Sequence, residues 1–249
     1  MPARPTVRSV RRVRRRGRRF LLVLVLVIGT GLAVPTGLAA RVIRVVSGSP
    51  ATVDLGGPLP ACRADSVPAI HRAAGDWPIT LLDPIFTLDP ADRPADLVPT
   101  DEAGIAGGGE VRLVVIDDLR AMTRAARTEG VVLRVRSAYR SYEAQVRTVD
   151  SLERTYGRTW TAQAAARPGH SEHQLGTALD LDGGDAWLAV HAWEHGFVVS
   201  YPPERSPRFT CYQSEPWHVR YVGRVEAAAV HESGLSLREW LWAHPDGIG

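Results

Sequence analysis

Two clusters of imidazole and carboxylate side chains, at the two ends of residues 169–218, limit what this chain can fold into. The first is Gly169-His170-Ser171-Glu172-His173-Gln174-Leu175-Gly176-Thr177-Ala178-Leu179-Asp180, and the second is Glu215-Pro216-Trp217-His218. His173, Asp180 and His218 form a three-ligand set of the kind that holds a catalytic zinc ion, leaving a fourth position for water. Glu215 is then a carboxylate free to move protons. A fold that serves this chemistry must bring the two ends together. Gly176 lets the backbone turn back between His173 and Asp180. On one regular strand Glu215 and His218 would face opposite sides, so the chain must bend at Pro216 for both to address one ion.

Other readings compete within the same residues. His191-Ala192-Trp193-Glu194-His195 fits the H-x-x-E-H pattern of inverted zinc peptidases, although a short helix ended by Gly196 would equally expose both rings. A serine hydrolase centred on Ser171 would need G-x-S-x-G, and the chain reads Gly169-His170-Ser171-Glu172-His173 instead. There is no lysine in the sequence. That excludes the S-x-x-K serine peptidases, Schiff-base chemistry and a phosphate-loop ATPase.

The net charge of +3 hides an asymmetry, because the first 41 residues hold ten arginines and no acid, leaving 20 basic residues against 27 acidic ones. An acidic body lacks the basic face that phosphate binding requires, so nucleic acid is not an expected partner. Residues 1–19 read as a basic cytoplasmic segment. Residues 20–40 form an uncharged, mostly apolar run, long enough for a transmembrane anchor and also compatible with a cleaved signal peptide. The rest of the chain is then expected outside the cytoplasm, membrane-attached or, if the signal is cut, secreted. In that oxidising compartment Cys62 and Cys211 are expected to form a disulfide, with a metal-ligand role for Cys211 as the minor reading.

Residues 41–75, rich in Gly and Pro, read as a spacer, and Trp77 to Pro99 as an extended, proline-broken wrap. From there periodicity predicts a helix over 110–129 capped by Gly130, a strand over 131–136, and a capped helix from Ser141 toward Tyr156. Further helices are expected at 161–166, 185–195, 224–233 and 237–243, and strands at 177–181, 197–201 and 217–222. These define an α+β domain over 76–249, a small, mainly antiparallel sheet with flanking helices, preceded by the membrane segment.

Three blocks in order carry a family likeness: Ser137-Ala138-Tyr139-Arg140-Ser141 with Gln145, Ser171-x-His173-x-x-Gly176-x-Ala178-x-Asp180, and Glu215-Pro216-Trp217-His218-Val219-Arg220-Tyr221-Val222-Gly223. Over residues 78–243 the chain resembles the VanY-type D-alanyl-D-alanine carboxypeptidases. The resemblance implies a zinc enzyme that trims peptidoglycan stem peptides, with His173, Asp180 and His218 as ligands and Glu215 as general base. It further implies that Arg140 binds substrate and steadies the oxyanion, and that Gln145 and Ser171 line the substrate pocket. Thr210-Cys211-Tyr212 departs from the family's usual Thr-Gly, so the pocket rim differs. An L,D-carboxypeptidase or a wall endopeptidase on the same fold, or a wall-binding module without catalysis, are the alternative functions.

Overall fold

The structure is a computed structural model that describes residues 58–69, 74–205 and 207–247. The readings of residues 1–40 as basic segment and membrane span lie outside the described residues. Among the described residues no helix is long and apolar enough to cross a membrane.

The strands are β1 Val67–Pro68, β2 Phe86–Thr87, β3 Leu97–Pro99, β4 Glu110–Arg112, β5 Arg134–Ser137, β6 Ala178–Asp182, β7 Phe197–Tyr201 and β8 Glu215–Tyr221. The α-helices are α1 Ile116–Thr128, α2 Tyr142–Tyr156, α3 Arg158–Ala164, α4 Asp185–His191, α5 Pro207–Thr210, α6 Arg224–Ser233 and α7 Leu237–Ala243. Four strands form the main sheet in the order β5-β6-β8-β7, every neighbouring pair antiparallel. This is the small antiparallel sheet with flanking helices that the sequence predicted.

Alternation along the strands separates two faces. Leu179, Leu181, Val219, Tyr221 and Phe197 point to a core completed by Leu119, Met122 and Ala126 of α1 and by Trp187 and Leu188 of α4. Ala178, Asp180, His218 and Arg220 fall on the opposite face, where Asp180 pairs with His218 and Ala178 with Arg220. The sheet therefore insulates the polar face from the main core. A second cluster, Val222, Ala227, Val230, Leu237, Trp240 and Leu241, closes α6 and α7 over the end of the sheet.

Local signals were overridden where pairing offered more. The expected helix over 110–129 begins only at Ile116, because Glu110–Arg112 forms a ladder with Leu97–Pro99 and the Arg112 Nε donates to Asp96 at 2.9 Å. Val111 is buried in that ladder opposite Val98, and Val114 is exposed, so strand pairing overrides the helical spacing there. The next strand starts at Arg134 and not at Val131, because the helix closure uses Val131: its N–H donates to the Ala126 carbonyl at 2.9 Å while Gly130 adopts φ 79°.

Residues 58–69, assigned to a spacer by composition, pack on the domain. Val67–Pro68 pairs with Phe86–Thr87, Arg238 donates to the Pro60 carbonyl at 2.9 Å, and Cys62 is bonded to Cys211 as expected. The wrap is pinned from beneath by a buried ion pair, Arg238 Nε to Asp83 Oδ2 at 2.7 Å. The other Asp83 oxygen accepts from the Ile85 and Phe86 amides.

Candidate active site

The two ends of residues 169–218 meet on the polar face of the sheet. His173 stands in a one-turn 3-10 helix, Glu172–Leu175, that Gly176 closes in the left-handed conformation at φ 71°. A side chain at 176 would press on Arg112 and Leu97, so both the turn and the packing demand glycine. The chain then enters β6, which delivers Asp180 opposite His218 on β8. The expected bend near Pro216 is present as a register shift: Val199 pairs with Val219 but Tyr201 pairs with Glu215, so the intervening stretch of β8 bulges. Glu215 and His218 thereby reach the same side, with Glu215 Oε2 3.9 Å from His218 Nδ1.

One ligand atom each from His173, Asp180 and His218 lies within 4.8 Å of the others. His173 Nε2 is 3.4 Å from Asp180 Oδ2, and His218 Nδ1 is 3.1 Å from Asp180 Oδ1. The opposite ring nitrogens are engaged. His173 Nδ1 donates to the Ala138 carbonyl at 2.8 Å, and His218 Nε2 donates to Glu172 Oε2 at 3.0 Å. These bonds select the tautomers that turn His173 Nε2 and His218 Nδ1 toward Asp180, the arrangement in which metal-ligating imidazoles are held. Two oriented imidazoles and a carboxylate fit the preference of zinc.

Glu172 is the residue that sequence reasoning missed. It is buried beside His218, accepts from the Ser200 hydroxyl at 2.7 Å and pairs with Arg220 at 3.0 Å. Burial alone would raise its carboxyl, but Arg220 and His218 outweigh burial and hold it at about 2. A signal was available. Arg220 sits two residues after His218, hence on the same strand face, and an arginine on the face that carries the site would require an acid if the fold buried it.

Burial depresses the His218 imidazole, but bonds from Asp180 and Glu172 overcome that and raise it to about 10. The carboxylates that favour a proton there favour a cation equally. Asp180 is held well below the usual carboxylate range, burial being outweighed by His173 and His218. Glu215 moves the other way: burial raises it, His218 pulling against and Asp180 adding to the rise.

Arg140 approaches from the loop after β5, with Nη2 3.8 Å from Asp180 Oδ2. Its Nη1 donates to Gln145 Oε1 and its Nη2 to the Ser137 hydroxyl, both at 2.8 Å. Gln145, expected as a substrate contact, uses both ends of its amide inside the protein, since its Nε2 donates to the Ala166 carbonyl at 2.6 Å. It lines the cavity and holds Arg140 in place. Ser171 is buried on the cavity wall. The cavity measures about 520 Å³ and is also bordered by Tyr201, Tyr212 and Trp217, with Arg136 stacked on the Trp217 ring at 5.1 Å. His191 and His195 stand apart from this cavity, stacked against Trp187, so the H-x-x-E-H pattern is scaffold.

The rim is tied by the disulfide. Cys211 is the only described non-glycine residue with positive φ, at 70°. The backbone at Cys211 is left-handed, a conformation that favours glycine, and the residue that adopts it here carries the bridge to Cys62.

A polar sheet face that presents two oriented imidazoles and a carboxylate, with a second carboxylate and an arginine beside them, offers the donor set that suits a zinc ion. Residues 109–224 match the family described as VanY, D-alanyl-D-alanine carboxypeptidase. The chain is 35% identical over 156 residues to a D-alanyl-D-alanine carboxypeptidase of Enterococcus faecalis, covering 55% of this chain and 58% of that protein. YodJ of Bacillus subtilis is 34% identical over 146 residues, 53% of each chain. The chain thus spans little more than half the length of these curated relatives. Among solved structures, the LdcB LD-carboxypeptidase superposes with a TM-score of 0.59 at 30% identity, covering 66% of this chain and 86% of that one. The VanY D,D-pentapeptidase from a VanB-type resistance cassette, solved as a point mutant in complex with Zn(II), gives a TM-score of 0.60 at 28% identity, covering 66% and 99%. Residues 109–224 thus form a VanY-type domain within this chain.

Proposed function

We propose that the protein is a zinc-dependent D,D-carboxypeptidase that removes the terminal D-alanine from peptidoglycan stem peptides. The observation that carries this reading is the convergence of His173 Nε2, Asp180 and His218 Nδ1 with Glu215 at 3.9 Å on the same side. A zinc ion held by His173, Asp180 and His218 would supply Lewis acidity, making a bound water acidic and polarising the scissile carbonyl. Glu215 takes the proton from the attacking water and returns it to the leaving amine. Its raised affinity for a proton suits both halves of that task. Arg140, positioned by Gln145 and Ser137, faces the negative charge that develops on the carbonyl oxygen. Ser171 and the tyrosines Tyr201 and Tyr212 add polar groups to the wall of the same cavity.

The likeness to the LdcB structure favours a second reading, an L,D-carboxypeptidase acting on a shorter stem. One experiment separates them: incubate the full-length protein with stem pentapeptide and stem tetrapeptide, with and without a chelator. The D,D reading requires release of D-alanine from the pentapeptide, arrested by chelation. Cleavage of the tetrapeptide alone replaces it with the L,D reading, and cleavage of neither in the presence of zinc removes both.

We further propose that residues 76–249 act outside the cytoplasm, with residues 20–40 as anchor or export signal. The arginine-flanked apolar run supports this. Recovery of the protein in the soluble cytoplasmic fraction would overturn it.

A further inference from the structure

Tyr156 and Trp160 are 57% and 41% exposed, and no other aromatic residue among those described is as open to solvent. They are also in contact, with ring centroids 4.5 Å apart and planes 38° from parallel. Exposed aliphatic side chains are scattered singly on most proteins, whereas a paired aromatic surface continuous with a cleft marks a binding site.

The pair is built by a hairpin whose purpose is otherwise obscure. Helix α2 ends at Tyr156, Gly157 turns the chain at φ 82°, and α3 starts at once, bringing Trp160 back onto Tyr156. Trp160 borders the active-site cavity, together with Thr148 and Leu152 of α2. Gln145, Thr148, Leu152 and Tyr156 follow one another at helical spacing, so they form a single stripe along α2. At 1.5 Å per residue, Tyr156 lies about 16 Å along the helix from Gln145, which touches Arg140 at the catalytic end. Four extended residues, the length of a stem peptide between its scissile bond and its sugar, span up to about 14 Å. The short acid link to the sugar makes up the remainder.

We propose that Tyr156 and Trp160 form a saccharide platform, on which the amino sugar that carries the stem peptide stacks its C–H face while α2 guides the peptide to the metal end. A pyranose ring offers a flat row of C–H groups and a polar edge, which matches flat aromatic faces standing in water. This rests on the carboxypeptidase reading only for the choice of ligand.

The test compares dissociation constants of a disaccharide-tetrapeptide and the identical free tetrapeptide, by calorimetry on full-length zinc-loaded protein. The sugar-bearing ligand should bind about tenfold more tightly, and Tyr156→Ala/Trp160→Ala should bring the ratio of the two constants close to one. Tyr156→Phe/Trp160→Phe should restore most of the ratio, which a merely structural role would not predict. A ratio of one in the unmodified protein, or a ratio unchanged in the double alanine variant, overturns the platform. Hydrolysis of the pentapeptide is measured separately. Its absence would count against the D,D reading while the binding ratio still decides the platform.

Discussion

Glu172 accepts the Nε2 proton of His218 at 3.0 Å, and that bond turns the His218 Nδ1 toward Asp180. The orientation of the His218 ring therefore depends on a buried carboxylate outside the His173, Asp180 and His218 set. Glu172→Gln should weaken zinc binding by about 10- to 100-fold, the range for loss of an outer partner to a metal-bound histidine. Competition with a chelating dye measures this. Unchanged zinc affinity would show that His218 is oriented by packing alone.

The same residue sets an acid limb of stability. Its folded carboxyl sits at about 2, below the ordinary value of 4.5, so its contribution is complete above pH 4.5 and is lost as pH falls toward 2. The shift corresponds to about 3 kcal/mol. Urea unfolding of metal-free protein at pH 7 and pH 3 should show a loss of this order in the native sequence. The loss should be smaller in Glu172→Gln, which is already destabilised at pH 7 because Arg220 keeps its buried charge.

Glu215→Ala should lower turnover by at least about 10³-fold while leaving one zinc per chain, since its oxygen lies on the rim of the ligand set and outside it. Turnover and metal content are read on the same sample. Loss of zinc together with activity would make Glu215 a ligand and not the base.

The Cys62–Cys211 bridge closes a sequence separation of 149 residues, and the chain-entropy account gives such a loop about 4 to 5 kcal/mol. Cys62→Ala/Cys211→Ala should lose about that much. Cys62→Ala/Cys211→Gly should recover roughly 1 kcal/mol of it, because φ 70° suits glycine and strains alanine. Denaturant midpoints of the two variants side by side check the difference, and equal midpoints would mean that the rim relaxes once unbridged.

Asp83→Asn should cost about 3 to 5 kcal/mol, since it leaves Arg238 charged in a site where the two side chains are 5% and 1% exposed. The expected signature is a lower urea midpoint with an unchanged slope. A loss below 1 kcal/mol would show that the wrap is held mainly by its apolar contacts.

Much of the site could be read in the chain because the relevant signals are short-range. Residue type and spacing singled out His173, Asp180, Glu215 and His218, which the fold brings together, and the need for a bend at Pro216 followed from strand periodicity alone. Helix α2 was legible because the Ser141 cap and the helical period agreed, while α6, α7 and strand β7 were legible from residue spacing. The start of α1 was misread because Val111 and Val115 satisfy a helical spacing, while the partner that claimed Val111, Val98 on β3, is supplied from a different segment.

Residue order alone established the chemistry on offer: which side chains can ligate, which can move a proton, and the absence of any lysine mechanism. How each group is aimed belongs to the folded arrangement. That Glu172 and the Ala138 carbonyl choose the tautomers, that Gln145 serves Arg140, and that Tyr156 and Trp160 meet beside the cavity all depend on contacts made only once the chain is folded. Hydrogen-bond direction and burial are properties of those contacts, and no local pattern of residues encodes them.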